Sequence, residues 1–337
     1  MARVHVAPDR VIRVTTGLRP FRPSGFVVRA EKAGDKVVVH NYGHGGAGIT
    51  LSWGTAQLAV DEGMKTGQSD CAVAGCGVVG LSTARLLQQR GLNPVIYTKE
   101  MPPLTTSNMA GGLWEPVTLY DDDRVTPEFR KQFGEAARFA YRRYQLMAGD
   151  LYGVRWMPAY SFSNSAPRSG PPNPNSPMRE IDDLHPESKQ IPRERNPFSN
   201  AFVSSHEAML IEPSIYLNAL IRDYQLAGGK IVLREFASAS DLLALPHKLF
   251  FNCTGLGAKQ LFGDNELTPI KGQLVFLLPQ PEIDYMTLGP GSIYMFPRRD
   301  GILLGGSHDR DVWDLNPDAA VTERILRENG ALFASMT

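Results

Sequence analysis

Gly75, Gly77 and Gly80 in "AGCGVVG" have the spacing that lets a backbone cradle a pyrophosphate. The first glycine allows a tight turn, the second lets the backbone approach the phosphates, and the third lets a helix pack closely on its strand. Val78 and Val79 open that helix, whose free N–H groups and dipole face an anion. Glu100 lies twenty residues past Gly80, where an acid often binds ribose hydroxyls, with Lys99 beside it. A solvated charge at a strand end is the other reading of Glu100. "PPLTTSNMAGGLWEP" (102–116) then supplies Thr105, Thr106, Asn108 and two glycines, a loop rich in hydroxyl donors and close-approach backbone for which a nicotinamide dehydrogenase has no obvious need. A second glycine turn, "HNYGHGGAGIT" (40–50), runs from a strand into a helix.

These turns need strands and helices on either side to hold them. Residues 71–75 read as a short buried strand, 80–91 as a helix closed by glycine, and "NPVIYTKE" as the next strand. Residues 126–149 read as a helix with Thr126 as N-cap and Pro127 at its first position. "SIYLNALIRDYQLAGG" is helical and "KIVL" extended; "KLFFNCTG" is a strand ending in a third glycine turn. "QLVFLL", "SIYMF" and "GILLGG" alternate with turns as in an antiparallel sheet, and a helix closes the chain. Residues 61–70, "DEGMKTGQSD", read as a linker. From 163 to 200 prolines exclude long regular elements, which suggests a lid, a binding loop or an excursion.

Hydrophobic residues make up 42% of the 337 and charged residues 21%, ordinary for a globular protein. Lys plus Arg and Asp plus Glu each number 35, so charge steers the chain to neither nucleic acid nor an anionic membrane. Cys71, Cys76 and Cys253 lack metal or redox spacing and read as small buried residues. No apolar run reaches the length of a membrane span, and the start lacks a signal-peptide core, so a cytoplasmic location is the expectation. No metal site is expected.

Five segments together resemble the D-amino-acid oxidase family of flavoproteins. They are "TGLRPFRP" (16–23), "HNYGHGGAGITLSWG" (40–54), "FFNCTG" (250–255), "PIKGQ" (269–273) and "YMFPRRDGILLGG" (294–306). The resemblance implies an α/β fold with a Rossmann-like FAD-binding domain on a parallel sheet. An α+β substrate domain with an antiparallel sheet completes it. Residues 37–115 and 229–257 fall to the first domain; 1–36, 116–228 and 258–337 fall mainly to the second. The implied cofactor is FAD. Its nucleotide contacts fall on Gly75, Gly77, Val78, Val79, Gly80, Glu100, Thr105, Thr106 and Phe236, with Thr254 and Gly255 closing over it. Its flavin contacts fall on Gly112, Leu113, Gly45, Gly46, Gly48, Ile49 and Thr50. For Thr105 and Thr106, helix capping is the alternative.

The implied reaction is oxidative deamination of a D-amino acid to a 2-oxo acid, with ammonia and hydrogen peroxide, by hydride transfer from the α-carbon. It requires a held carboxylate, a neutral amine and stabilised negative charge on the flavin. Arg19 suits the carboxylate, because a guanidinium fork grips it bidentately. Arg22 is its rival. Tyr294 supports the same carboxylate by resemblance, and the Gly46 carbonyl accepts from the amine. His44 shapes its turn or acts as a base, and the family works without such a base. His206, His247 and His308 have no ligand spacing, and "HDRD" (308–311) reads as a solvated turn. Two positions depart from the family: Pro290 replaces a lid tyrosine, and Glu115 replaces a neutral amide. Glu115 either faces the pocket and favours basic side chains or is bound up in a structural ion pair. Glycine, secondary-amine or D-aspartate oxidation, or flavin binding without oxidase activity, are the alternatives. The expected partners are the substrate and oxygen, and a homodimer is compatible with the sequence.

The segments stand in an unusual order. The family's closing turn and helix occupy residues 37–60, ahead of its opening glycine motif at 75–80. The expected arrangement is therefore circularly permuted, with a linker of ten residues, at most about 30 Å long, joining the old ends.

Overall fold

The computed structural model describes residues 1–163, 173 and 176–336. The chain enters through β1 (Val11–Phe21) and turns into a hairpin of β2 (Val27–Ala33) and β3 (Lys36–Tyr42). A single 3-10 turn, Gly45–Ala47, leads into α1 (Gly48–Met64). That helix runs four residues into the expected linker. Gly63 explains this: it is buried against β10 (Leu249–Asn252), and a Cβ there would stand 2.6 Å from the Phe251 ring. Only 65–70 connect α1 to the next strand.

β4 (Cys71–Ala74), α2 (Val78–Gln89) and β5 (Val95–Thr98) form the expected strand–helix–strand unit. α3 (Pro127–Leu146) begins at Thr126, whose hydroxyl accepts from Phe129 N at 3.1 Å. β6 (Val154–Ser163), β7 (Lys189–Gln190) and β8 (Phe202–Ile211) follow. A 3-10 helix over Pro177–Leu184 lies between β6 and β7. Of the proline-rich stretch, 164–172 and 174–175 lie outside the described residues. α4 (Pro213–Leu226), β9 (Lys230–Leu233), α5 (Ala239–Leu243) and β10 return the chain to the first sheet. After α6 (Gly257–Phe262) come β11 (Thr268–Leu277), β12 (Met286–Leu288), β13 (Tyr294–Arg298), β14 (Gly301–Gly305) and β15 (Asp309–Arg310). α7 (Ala319–Ala334) is last.

Two sheets organise these elements. The first has six strands in the order β2-β3-β10-β4-β5-β9, parallel from β3 to β9. β2 adds an antiparallel edge. The expected domain division grouped β2 with residues 1–36 in the other unit; its hairpin with β3 fixes it here instead. Val39, Val73 and Phe251 on one face meet α1, α2 and α3, whereas Val38, Ala72 and Phe250 on the other meet α5. Each fully buried valine or phenylalanine among them contributes about 1.5–3 kcal/mol. The second sheet has nine strands, ordered β1-β11-β14-β13-β12-β6-β8-β7 with β15 added to β11. Its back packs on α7 and on Val4 from the start of the chain. There the two ends of the chain meet: Arg3 bonds the Met336 carbonyl, and Tyr285 bonds the Ala2 carbonyl at 2.8 Å. No described helix is long and apolar enough to cross a membrane.

Glu212 braces one end of the second sheet. It caps the end of β8 and the start of α4, and it is fully buried. Its carboxylate accepts from Arg299 N at 2.6 Å and lies 3.1 Å from Arg155 Nε. Both arginines reach solvent, so what loss of the carboxylate would cost is chiefly the charge-assisted bond from Arg299 N. Glu212→Ala is therefore expected to cost about 1.5–3 kcal/mol, read as a lower urea midpoint; an unchanged midpoint would show that this carboxylate does not hold the end of β8 to the β13–β14 turn.

Candidate active site

Every glycine turn singled out in the sequence lies just beyond the carboxyl end of a parallel strand. Gly45, Gly46 and Gly48 follow β3, Gly75, Gly77 and Gly80 follow β4, and Thr254 and Gly255 follow β10. Glu100 follows β5 and Phe236 follows β9, so all border one edge of the six-stranded sheet, where open α/β sheets bind ligands. Glu100 and Lys99 are exposed there. Phe236 is half-buried, its ring 6.2 Å from that of Tyr97.

The glycines are required by close approach. A Cβ on Gly75 would stand 2.4 Å from the Cys253 carbonyl, and one on Gly80 would stand 2.0 Å from the Gly75 carbonyl. α2 thereby sits directly on β4. It starts without a side-chain cap, and so does α1. The two starts adjoin: a Cβ on Gly48 would lie 4.0 Å from Val78 Cγ1. Neither N-cap residue offers a side chain, and two positive dipole ends thus converge, which suits an extended anionic cofactor. Val79 lies in the first turn of α2, and Ile49 is buried in that of α1.

The hydroxyl-rich loop closes this edge. Thr105 is buried and donates to Asn108 Oδ1 at 2.8 Å, whereas Thr106 is exposed. Ser107, which the sequence reading passed over, accepts from Val78 N at 3.0 Å; its hydroxyl in that loop was the available signal. Gly112 and Leu113 run beside β8, with Ile211 N donating to Gly112 O at 2.7 Å. Thr50 binds Glu115 both ways, to its carbonyl at 3.1 Å and from its N–H at 3.2 Å. Gly46 N donates to Thr118 O at 3.0 Å, a contact that no local sequence signal announces.

Arg19 and Tyr294 come together on the front face of the nine-stranded sheet. The Arg19 guanidinium lies flat over Gly272, where a Cβ would stand 2.4 Å from Nη1. Tyr294 lies over Gly305 in the same way, with 1.9 Å to Cζ. Burial raises the Tyr294 phenol pKa, and the adjoining Arg19 charge and hydrogen bond partly offset this. Nη1 of Arg19 reaches the Ser307 carbonyl at a loose 3.4 Å. This face meets the cofactor edge directly. Met109 packs over Gly17, Gly111 over Phe296 and Tyr294, and Phe21 against Gly45. Arg22, the rival cation, bonds Asp264 at 2.7 Å and Ser24 at 2.6 Å and pairs with Glu266. Those bonds occupy it away from Arg19.

The histidines separate by environment. His44 is buried, stacks on Phe26 and bonds Thr55 Oγ1 at 2.9 Å. Burial lowers its pKa to about 3, so it is neutral at ordinary pH and shapes the turn. His247 bonds Asp70 at 2.6 Å and Tyr97 at 3.1 Å. His308 is depressed by burial and then by Arg19. Asp309 and Arg310 of "HDRD" are exposed but pair with β11, and Arg310 bonds Asp121 at 2.6 Å. Glu115 lies 3.3 Å from His185, a partner the sequence reading had not considered. The three cysteines are buried free thiols, with pKa values pushed up by burial to about 12.

Unfolded His44 binds a proton near the ordinary histidine value of 6.5, whereas folded His44 does so only near 3. It therefore contributes stability above pH 6.5 that is lost as the pH falls toward 3. His44→Gln should flatten the acid-side loss in a pH series of urea midpoints, by up to about 1.4 kcal/mol per pH unit. A slope equal to wild type would place the titration elsewhere.

Comparison with known proteins agrees with this architecture. Residues 70–336 match the model of the DAO family, described as FAD dependent oxidoreductase. A D-amino-acid oxidase of Rubrobacter xylanophilus is 30% identical over 264 residues, 77% of this chain and 76% of its own. A human D-aspartate oxidase is 30% identical over 276 residues, covering 79% and 76%. The glycine oxidase structure from Bacillus cereus shares the fold with a TM-score of 0.55 at 16% identity, over 79% of this chain and 78% of that one. With the glycine turns, the uncapped helix starts and this match over most of its length, the chain belongs to the DAO family of FAD-dependent oxidoreductases.

Proposed function

We propose that this protein is an oxidase of D-amino acids, and that its segments are a circular permutation of the family's order. The observation carrying the first reading is the Arg19–Tyr294 pair on the sheet face that abuts the cofactor edge. A guanidinium held flat over Gly272, bonded to Tyr294 and loosely to the Ser307 carbonyl, retains donors for a carboxylate. Tyr294 supplies a second donor to the same group. Across the cleft, the Gly45–Ala47 turn presents the Gly46 carbonyl as acceptor for the substrate amine, while its N–H is held by Thr118. When bound, FAD supplies the two-electron oxidant for the substrate α-carbon and passes the electrons to oxygen. Gly75, Gly77, Val78, Val79, Gly80, Glu100, Thr105, Thr106, Phe236, Thr254 and Gly255 would hold its nucleotide half. Gly112, Leu113, Gly45, Gly46, Gly48, Ile49 and Thr50 would hold its ring. The first turn of α1 adds a positive dipole end where negative charge develops. His44 is neutral and committed to Thr55, so the chain's own residues bind and orient while no side chain at this turn takes a proton.

The permuted order rests on separate support. The family match begins at residue 70, yet the GHGG turn and Arg19 lie before it. Residues near the two ends of the chain touch through Arg3, Met336, Tyr285 and Ala2. The cofactor layer, 37–115 with 229–257 and the added strand β2, is thus drawn from both sides of residue 70, and the remaining segments form mainly the substrate layer.

Hydrogen peroxide release by the flavin-loaded protein with D- but not L-amino acids is the expected result; silence with every D-amino acid would overturn the oxidase reading. Arg19→Ala should raise KM for a good D-substrate by about a hundredfold, with the flavin spectrum retained and Arg19→Lys recovering part of the loss. An unchanged KM would mean that the carboxylate is held elsewhere. For the permutation, a rearranged chain carrying 71–336 ahead of 1–64 should bind flavin and turn over like the original. Loss of flavin binding in a folded rearranged chain would contradict it.

A further inference from the structure

Residues 107–114 carry the hydroxyl-rich loop from the glycine motif to the front face of the second sheet. Ser107 is held at one end by Val78 N. At the other end Ile211 N donates to Gly112 O, and Trp114 N donates to Met209 O. Between these anchors lies "AGG" (110–112), which has little conformational preference of its own because two of its three residues are glycines. The local bond at its start, from Ala110 N to Ser107 O, is a long 3.4 Å. Gly111 presses on the ring of Phe296, where a Cβ would stand 3.0 Å from Cε2.

Arg298 supplies a further anchor to this stretch. It is the last residue of β13, four beyond Tyr294, so the two side chains share the front face. Its Nη1 donates to the Ala110 carbonyl at 3.0 Å. Nε and Nη2 donate to the two oxygens of Asp300 at 2.9 and 2.7 Å, so the guanidinium cannot swivel without breaking both bonds. Arg13 also donates to Asp300, at 2.6 Å. The Arg298 side chain is 1% exposed, against 41% for Arg13. A buried ion pair is weak evidence for stability, because apolar residues of similar volume often serve as well. An apolar residue would fill this space, yet it could not fix the direction of the Ala110 carbonyl.

We propose that Arg298 is a positioning residue for the flavin ring: by holding the Ala110 carbonyl, it sets the Gly112–Leu113 main chain against which the ring rests. The inference rests on the placement of the ring at Gly112 and Leu113 given under the proposed function. Arg298 acts through the main chain of the loop. The turns at Gly75–Gly80, which take the nucleotide half, do not depend on this bond.

The test separates the two halves of the cofactor. The full chain, stripped of flavin, is titrated with FAD, read by flavin fluorescence, and with ADP, read by calorimetry. Arg298→Met, which keeps the length and the apolar stem, should weaken FAD binding by about tenfold and leave ADP binding unchanged. Arg298→Lys, whose ammonium cannot serve Ala110 and both Asp300 oxygens together, should fall between Arg298→Met and wild type. It carries the same comparison where Arg298→Met fails to fold. Arg13→Met removes a bond to the same Asp300 without touching Ala110, so it should leave FAD binding unchanged. FAD binding unmoved by Arg298→Met would overturn the inference. So would equal weakening of FAD and ADP, or an equal effect of Arg13→Met, since either marks a general structural role. Leu113→Ala tests the ring placement itself. FAD binding unchanged in Leu113→Ala would overturn that placement and the inference with it, whereas weakening there but not in Arg298→Met overturns the inference alone. The oxidase reading is decided separately, by peroxide release.

Discussion

β10 is hydrogen-bonded in parallel on both sides, to β3 and to β4, and the rest of the molecule depends on that double pairing. It aligns residues 37–40, 71–74 and 249–252 so that their carboxyl ends meet at one edge. The turns that follow are then forced together, and the glycines in them are what allow the resulting contacts. Cys253 O fills the space that a side chain on Gly75 would need, and Gly75 O does the same to Gly80. Two helices begin at this edge with no side chain at their N-cap positions; Ser107 takes Val78 N, and the two positive dipole ends face an anion.

The second sheet supplies what the first lacks. Its front face is flat and small beside the edge, with Gly17, Gly272 and Gly305 under Met109, Arg19 and Tyr294. Long polar side chains can lie along such a surface with their working ends free. Further along the face the lining changes through Leu288 and Ala159 to Ser161, Ser204 and His206. Glu212, at the end of β8, ties β6 and the β13–β14 turn of this same sheet together.

Much of the cofactor edge was legible because its chemistry is local. Glycines at fixed spacing, Thr126 before Pro127, and hydroxyls gathered in one loop state their roles within a few residues. The antiparallel run of β11, β13 and β14 was equally readable from its alternation and turns. β6 and β8 were not, because a proline-rich stretch separates two strands that find each other only through long-range pairing. The end of α1 was misplaced because "DEGM" reads as polar linker, while the buried contact of Gly63 with Phe251 comes from a strand nearly two hundred residues away. Arg22 and Glu115 were ambiguous for the same reason. Asp264 and His185, which settle the partner of each, are remote in sequence.

The central claim is spatial: a substrate lies between Arg19 on the first strand of the chain and a turn assembled beside the glycine motif of residue 75. A crystal structure of the flavin-loaded protein with benzoate tests this most directly. The account predicts the benzoate carboxylate on the Arg19 guanidinium and the Tyr294 hydroxyl, with the flavin ring against Gly45–Thr50 and Leu113. A carboxylate bound away from Arg19, or a flavin ring remote from the Gly45–Ala47 turn, would contradict it.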